Sequence, residues 1–180
     1  MAKFEVVSKF KGEEDLLLPE RKTKYSAGYD LTVAEDIFIP AYQDLSEILL
    51  NHSNKREDTF LTLKEMQEYT KKCAARPTLV STGVKCKLEE GTYLELSVRS
   101  STPLKYWLIM GNSVGIIDGD YYNNPDNEGE IFFQLINLSP YDIKIQKGEA
   151  IGQGIIKPYL TTEDDVACGQ RTGGFGSTTK

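Results

Sequence analysis

The segment from Gln170 to Thr178 brings together residue types that suit a ligand with phosphate groups and a flat ring. Its glycines let the backbone approach a ligand closely and present N–H groups to an anion, and Arg171 offers a planar fork for phosphate oxygens. Phe175 could stack on the ring. The alternative is a chain end that frays, as polar, glycine-rich ends commonly do. The segment therefore predicts either an arm that closes over a ligand or an unstructured tail.

A second segment with chemical potential runs from Gly111 to Tyr121. Small, turn-forming residues are followed by β-branched residues and then by Asp118, Asp120 and Tyr121, which predicts a hairpin able to hold a flat heterocycle by its backbone. The alternative is that the two carboxylates only shape a turn after a strand. The chain has one histidine, His52, in a polar stretch. A general base is therefore expected to be a carboxylate.

Composition limits the kinds of protein this chain can be. Its 180 residues are 39% hydrophobic and 27% charged, which predicts one domain with its own core. The net charge of -6 argues against non-specific binding to nucleic acid, although a local basic pocket could hold a phosphate ligand. Three cysteines without CxxC spacing predict neither a disulfide framework nor a zinc site. With no signal peptide or membrane span evident, a cytoplasmic protein is expected.

Short strands separated by turns account for most of the chain outside residues 41–76, which predicts an all-β barrel or sandwich. Residues 84–88 alternate in polarity, and Leu94, Leu96 and Val98 share one face of a following strand after a turn at 89–91. Residues 131–136 are apolar on both faces, as expected for a strand buried between sheets or at a subunit interface.

Residues 41–76 change to the period of a helix and predict a helical hairpin inserted into the β-domain. Asp44–Glu47 and Thr62–Glu65 have the capping-box spacing that begins a helix. The insertion has two interpretations. It could be a tolerated surface excursion, because loop entropy grows slowly with length, or it could be a docking surface for another protein.

Five segments match, in order, the motifs of the trimeric deoxyuridine triphosphatases (dUTPases), and the chain resembles this family outside the insertion. Any one motif is weak, but five in order are specific. The segments are AGYDL at Ala27–Leu31, RSS at Arg99–Ser101, GNSVGIIDGDY at Gly111–Tyr121, GEAIGQGII at Gly148–Ile156 and RTGGFGST at Arg171–Thr178.

The resemblance implies one dUTPase-like domain over residues 1–180, an all-β jelly-roll β-barrel assembled as a homotrimer. Within it lie the helical insertion at 41–76 and a flexible carboxyl-terminal arm at 169–180 that closes over an active site shared between subunits. The implied reaction is the Mg²⁺-assisted hydrolysis of dUTP to dUMP and pyrophosphate. This reaction limits uracil incorporation into DNA and supplies dUMP for thymidylate synthesis. The chain resembles the bacteriophage or prophage type of this family, some bacteriophage members of which use added segments to bind a repressor.

Carried over residue by residue, the third motif gives Asp118 the role of general base for the water that attacks the α-phosphorus. The resemblance places Asn112, Gly115 and Ile117 in the substrate site, where Asn112 and the backbone around it read uracil. Tyr121 stacks on the deoxyribose and leaves no space for a 2′-hydroxyl, so UTP is expected to be excluded.

The second and fourth motifs supply the phosphate contacts that the resemblance implies. Ser100 lies near the bridging oxygen of the scissile bond, and stabilising charge there helps pyrophosphate leave. The expected phosphate-binding residues are Arg99, Ser100, Ser101 and Gln153. Asp30, in the first motif, is expected to support the Mg²⁺ site through water.

The arm completes the implied site. Arg171 meets the γ-phosphate and Phe175 covers the uracil when the arm closes, with Gly176 and Ser177 also contacting substrate. Closure would exclude bulk water and complete the site.

Two features depart from the family pattern, and two other functions compete with it. The first departure is the insertion, and the second is the run Tyr122–Glu128, which separates Tyr121 from the next glycine. One competing function is dCTP deamination, because dCTP deaminases share the fold, but the spacing from Asp118 to Tyr121 and the glycine-rich tail favour the triphosphatase. The other is a nucleotide-sensing regulator that acts on a partner protein.

Overall fold

The computed structural model describes residues 1–41, 62–63, 77–169, 171 and 173–174. In that part of the chain there are eleven strands, the helix α1 (Ser101–Tyr106) and 3-10 turns at Ser8–Phe10 and Gly119–Tyr121. The predicted all-β class is confirmed. The strands are β1 (Lys3–Val6), β2 (Tyr29–Thr32), β3 (Ile37–Ile39), β4 (Thr78–Ser81), β5 (Val84–Lys87), β6 (Thr92–Val98), β7 (Leu108–Met110), β8 (Gly115–Ile117), β9 (Phe132–Asn137), β10 (Ile143–Ile145) and β11 (Ala150–Pro158).

Antiparallel pairs join the strands into four small sheets. The largest has the order β2-β11-β6-β8, and a second has the order β4-β9-β7. Two further pairs, β1 with β5 and β3 with β10, complete the arrangement. Neighbours in a sheet are mostly distant in sequence, as in a jelly roll, so each sheet gathers residues from several parts of the chain.

The core lies between the inward faces of these sheets. On β6, Leu94 and Leu96 are fully buried while the intervening side chains are partly exposed, so the predicted alternation is confirmed. On β9, Phe133 and Leu135 are fully buried, but Ile136 on the other face is only partly so. Burial of both faces is therefore incomplete within one subunit, and the second face stays a predicted interface.

A glycine on β11 permits a close contact between the two larger sheets. A Cβ atom at Gly152 would overlap the ring of Phe133 and lie 2.8 Å from the carbonyl oxygen of Ser97. Any side chain there would force β11 away from the core ring. This contact explains why the fourth motif carries a glycine beside Gln153.

The two ends of the predicted insertion meet the same strand. Ala41 forms an isolated bridge with Asn137, and Thr78 pairs with Leu135, so both ends contact β9. Adjacent ends are what an excursion from a β-domain requires. Apart from residues 41 and 62–63, the predicted helical hairpin at 41–76 lies outside the described residues and stays a prediction. In the described part of the chain, no helix combines the length and apolar character needed to cross a membrane.

Candidate active site

Strand register aligns three polar side chains on one face of the largest sheet. Gln153 on β11 is opposite Asp30 on β2 and opposite Ser97 on β6. Directly opposed residues of antiparallel strands point to the same face, so these side chains form a row. Gln153 Nε2 donates a hydrogen bond to Ser97 Oγ at 3.3 Å. A Cβ atom at Gly28 would clash with Gln153 Oε1, so the glycine of the first motif leaves space for this glutamine.

The row continues into an open cleft of about 290 Å³. Arg99 follows the end of β6, and its Nε lies 3.7 Å from Asp30 Oδ1. The cleft is lined by Lys22, Ser26, Gly28, Asp30, Arg99, Ser100 and Gln153. We call Asp30, Arg99, Ser100 and Gln153 the cleft cluster. It combines a cationic fork, a hydroxyl and an amide, which suits phosphate oxygens.

Ser101 is not among the residues that line this cleft. It begins α1, and the next residue fixes the helix to the sheet, because Thr102 Oγ1 donates to the carbonyl oxygen of Ile151 at 3.4 Å. The predicted phosphate contact by Ser101 stays a prediction.

A second group of predicted site residues lies where β8 ends. Arg171 Nη2 donates to Asp118 Oδ2 at 2.5 Å. Its Nε lies 3.1 Å from Asp120 Oδ1 but outside hydrogen-bond geometry, so this contact is an ion pair. The guanidinium also lies 5.6 Å from the centre of the Tyr121 ring. We call Asp118, Asp120, Tyr121 and Arg171 the loop cluster.

The Tyr121 side chain is only 5% exposed and its hydroxyl is held on both sides. The hydroxyl accepts a hydrogen bond from Asn127 Nδ2 at 2.6 Å and donates one to the carbonyl oxygen of Glu130 at 3.1 Å. Burial raises the pKa of the Tyr121 phenol, although the hydrogen bond from Asn127 opposes that rise. The phenol is therefore neutral at physiological pH and keeps its proton for the bond to Glu130.

The predicted hairpin at 111–121 is wrong in its pairing. β7 pairs with β9 and β8 pairs with β6, so residues 111–114 connect strands of two different sheets rather than the two strands of one hairpin. The pattern of strand, turn and strand was correct, but local polarity does not encode which strand is the partner. Asn112 is exposed in this loop, Gly115 is buried against Leu96, and Ile117 is half-buried opposite Leu94.

The cleft cluster and the loop cluster lie at opposite ends of β6. Ile117, just before Asp118, is opposite Leu94, whereas Arg99 follows the other end of the strand. The stretch from Leu94 to Arg99 spans about 17 Å at the rise of a β-strand. One subunit therefore presents two separated half-sites.

Some predicted site residues cannot be compared with the structure, and some lining residues were missed. Phe175, Gly176 and Ser177 lie outside the described residues, and their roles stay predictions. Lys22 and Ser26 line the cleft without having been predicted. The basic run just before the first motif was a signal for Lys22, but no sequence pattern pointed to Asn127.

Comparison with known proteins gives a consistent result. A model of the dUTPase family matches residues 46–179. The deoxyuridine 5'-triphosphate nucleotidohydrolase of Lactococcus lactis subsp. lactis (strain IL1403) is 38% identical over 178 residues, covering 97% of this chain and 95% of that protein. The crystal structure of dUTPase from Streptococcus mutans has 37% identity and a TM-score of 0.67, covering 89% of this chain and 98% of that one.

A more distant structure shares the fold alone. It is a dUTPase variant from phage phi11 of S. aureus, described with a coordinated structural Mg(II) ion, and it is 18% identical. Its TM-score is 0.59, with 93% of this chain and 96% of that chain covered.

Proposed function

The chain belongs to the dUTPase family and is a deoxyuridine triphosphate nucleotidohydrolase, and we propose that Asp118 activates the water that cleaves dUTP into dUMP and pyrophosphate. The observation that carries this mechanism is the division of the motif residues into a phosphate-binding cleft and a carboxylate beside a buried aromatic ring. Each half alone lacks what the other supplies.

Asp118 has the exposure that a general base needs. Its side chain is 46% exposed and is paired with Arg171 rather than buried among other polar groups. An ionised carboxylate can accept a proton from water as the water attacks phosphorus. When Arg171 binds the γ-phosphate instead of Asp118, the Asp118 carboxylate can hold that water. Phe175, Gly176 and Ser177 complete the closed arm over the substrate.

The cleft cluster binds the phosphate chain. Arg99 and Gln153 bind phosphate oxygens, and Ser100 donates to the oxygen that becomes negative as pyrophosphate leaves, with Ser101 as a further donor. Lys22 lines the same cleft as Arg99 and adds a second cation, whose ammonium group is paired with Glu20 until substrate binds. These cations matter because the whole chain is acidic and would otherwise repel a triphosphate.

The cleft also fits Mg²⁺. Asp30 lines it with a hard carboxylate oxygen, the ligand type that Mg²⁺ prefers, and the ion commonly keeps several waters. No group of three or more His, Cys, Asp or Glu that could hold a metal occurs among the described residues. The proposed ion is held by substrate phosphates and by Asp30 through water. Bound Mg²⁺ would offset phosphate charge and fold the triphosphate. Asp30 also orients Arg99, its partner at 3.7 Å.

The separation of the half-sites supports a shared active site, which we propose is built in a homotrimer. About 17 Å of β6 separates Leu94 from Arg99, which favours a substrate that contacts the cleft cluster of one subunit and the loop cluster of another. Exposed apolar side chains near α1 and β8 support a contact between copies: Leu104 is 82% exposed, Trp107 62% and Ile116 51%. Closed symmetric oligomers are the usual way to repeat such a contact.

On the nucleoside side, Tyr121 would stack on deoxyribose and exclude a 2′-hydroxyl, while Asn112 and the backbone near Gly115 and Ile117 read uracil. The products give the reaction its biological role, because removing dUTP limits uracil in DNA and dUMP feeds thymidylate synthesis.

We propose that the protein works in the cytoplasm. A reducing cytoplasm suits two cysteines that form no disulfide, Cys86 and Cys168. A phage or prophage origin and a repressor-type partner bound through 41–76 remain part of the proposal, based on the helical pattern of that segment alone.

The test is product analysis after incubation of dUTP, dCTP, dTTP and UTP with Mg²⁺, using the intact chain and Asp118→Asn. We expect dUMP and pyrophosphate from dUTP alone, lost in the variant. Consumption of dCTP would favour the deaminase. Binding of dUTP without cleavage would favour the regulator.

A further inference from the structure

The run of residues 122–128, which we call the extended turn, is an ordered part of the subunit. Its backbone closes on itself, because Asn123 N donates to Glu128 O at 3.0 Å and Glu128 N donates to Asn124 O at 2.7 Å. The turn also returns to its starting point. Gly129 has a φ of 76° and a Cβ atom there would overlap the Tyr121 carbonyl oxygen, so only glycine fits where the two ends meet.

Side chains anchor the extended turn to the amino-terminal part of the chain. The Glu128 carboxylate accepts hydrogen bonds from Ser8 N at 3.1 Å and Ser8 Oγ at 3.1 Å. Lys85, 9% exposed, donates to Asn123 Oδ1 at 2.6 Å and to Glu128 Oε2 at 3.3 Å. Tyr122 donates to Glu5 Oε2 at 2.6 Å. Because these bonds reach β1, β5 and the first 3-10 turn, the extended turn is fixed relative to the core.

From this fixed turn, one side chain reaches Tyr121. Asn127 Nδ2 donates to the Tyr121 hydroxyl at 2.6 Å, while Asn127 Oδ1 accepts from Gly129 N at 3.1 Å. The second bond fixes the amide orientation, so the N–H group faces the phenol oxygen. The hydroxyl lies on the long axis of the ring, and bonds at that point hold the ring axis even if the ring flips.

We propose that Asn127 is a positioning residue that holds the Tyr121 ring in place, so that the extended turn sets discrimination between deoxyribose and ribose. The inference rests on the proposed sugar contact of Tyr121. Exclusion of a single hydroxyl depends on a close fit, and a displacement of about 1 Å can change rates by orders of magnitude. A side chain that fixes the ring against the rigid body of the subunit limits such displacement.

The experiment measures kcat/KM for dUTP and for UTP in the full-length chain, in Asn127→Ala, in Tyr121→Phe and in the double variant. Asp126→Ala is the matched control, since its exposed side chain lies in the same turn. We expect the dUTP-to-UTP ratio to fall about tenfold in Asn127→Ala, the equivalent of one hydrogen bond. We expect a similar fall in Tyr121→Phe, little further change in the double variant, and the full ratio in Asp126→Ala.

Several outcomes would overturn the inference. One is an unchanged ratio in folded Asn127→Ala, and another is equal effects of Asn127→Ala with and without the Tyr121 hydroxyl. If Asn127→Ala does not fold, Tyr121→Phe still tests the inference. Full discrimination against UTP without the Tyr121 hydroxyl would mean that the hydrogen bond from Asn127 plays no part in it. Tyr121→Ala distinguishes the sugar contact of Tyr121 from the positioning of its ring by Asn127. If that variant still excluded UTP, the sugar role of Tyr121 itself would fail, and the inference with it.

Discussion

The cleft cluster and the loop cluster are positioned by different kinds of structure. Asp30 and Gln153 are neighbours in strand register, and Arg99 follows the same sheet. Tyr121 and Asp118, in contrast, follow the short strand β8 and depend on side-chain bonds from Asn127 and Arg171. Strand ladders hold the cleft cluster, whereas a few removable side-chain contacts hold the loop cluster. The two halves should therefore respond differently to substitution.

The largest expected effect separates the two carboxylates of the loop cluster. We expect Asp118→Asn to lower kcat by about 10²–10⁴, the usual contribution of a general base, with little change in KM. Asp120→Asn should have a much smaller effect, because the ion pair of Asp120 is with Arg171 and the base role is assigned to Asp118. Steady-state release of pyrophosphate measures both. Equal losses of kcat in the two variants would mean that the carboxylates act together through their charge and that Asp118 is not the general base.

Mixing the two half-sites tests whether they work across subunits. Arg99→Ala should be nearly inactive because it removes the cationic fork of the cleft cluster. Co-expressing Arg99→Ala with Asp118→Asn should restore activity to about a quarter of the sites if a symmetric oligomer assembles at random. Differently tagged chains allow the mixed species to be purified and assayed. Mixed oligomers as inactive as either parent would argue that each subunit uses its own two clusters.

Within the cleft, the neighbouring lysines make a matched pair. Lys22→Ala should raise KM for dUTP about threefold at low ionic strength, and added salt should shrink the effect, as for an exposed charge. Lys24→Ala should change KM little, because Lys24 lies over the Tyr25 ring and not in the cleft. The measurement is KM for dUTP as a function of salt concentration. The same KM in both variants would mean that Lys22 does not contact the phosphates of dUTP.

The smallest expected effect concerns pH. Burial raises the pKa of Tyr121, so the folded state favours the protonated phenol. The associated stability is fully present below the unfolded phenol pKa of about 10 and is lost as pH rises through the folded value. Urea unfolding from pH 8 to 11 should show the free energy of unfolding falling at the alkaline end, less steeply in Tyr121→Phe. Identical slopes would mean that other groups dominate.

Local sequence predicted those features that depend on residues close together in the chain. Alternating apolar residues fixed the buried face of β6, and Gly91, which has a positive φ, lies in the predicted turn at 89–91. It was a poor guide where partners are distant. Residues 84–88 alternate in polarity, yet the polar side chain of Lys85 is buried, and its ammonium group donates to Asn123 in the extended turn.

The same distinction applies to the site. The motif segments identified the family and most residues that line the cleft, because spacing and residue type are written in the chain. Three features could not be predicted from the sequence, because each depends on which distant segments pack together. They are the partner strands of β7 and β8, the separation of the two clusters, and the contact from Asn127 to Tyr121. Sequence determined the chemical groups of this enzyme. Tertiary structure decided which of them share a site, because strand pairing and core packing are set by contacts between residues far apart in the chain.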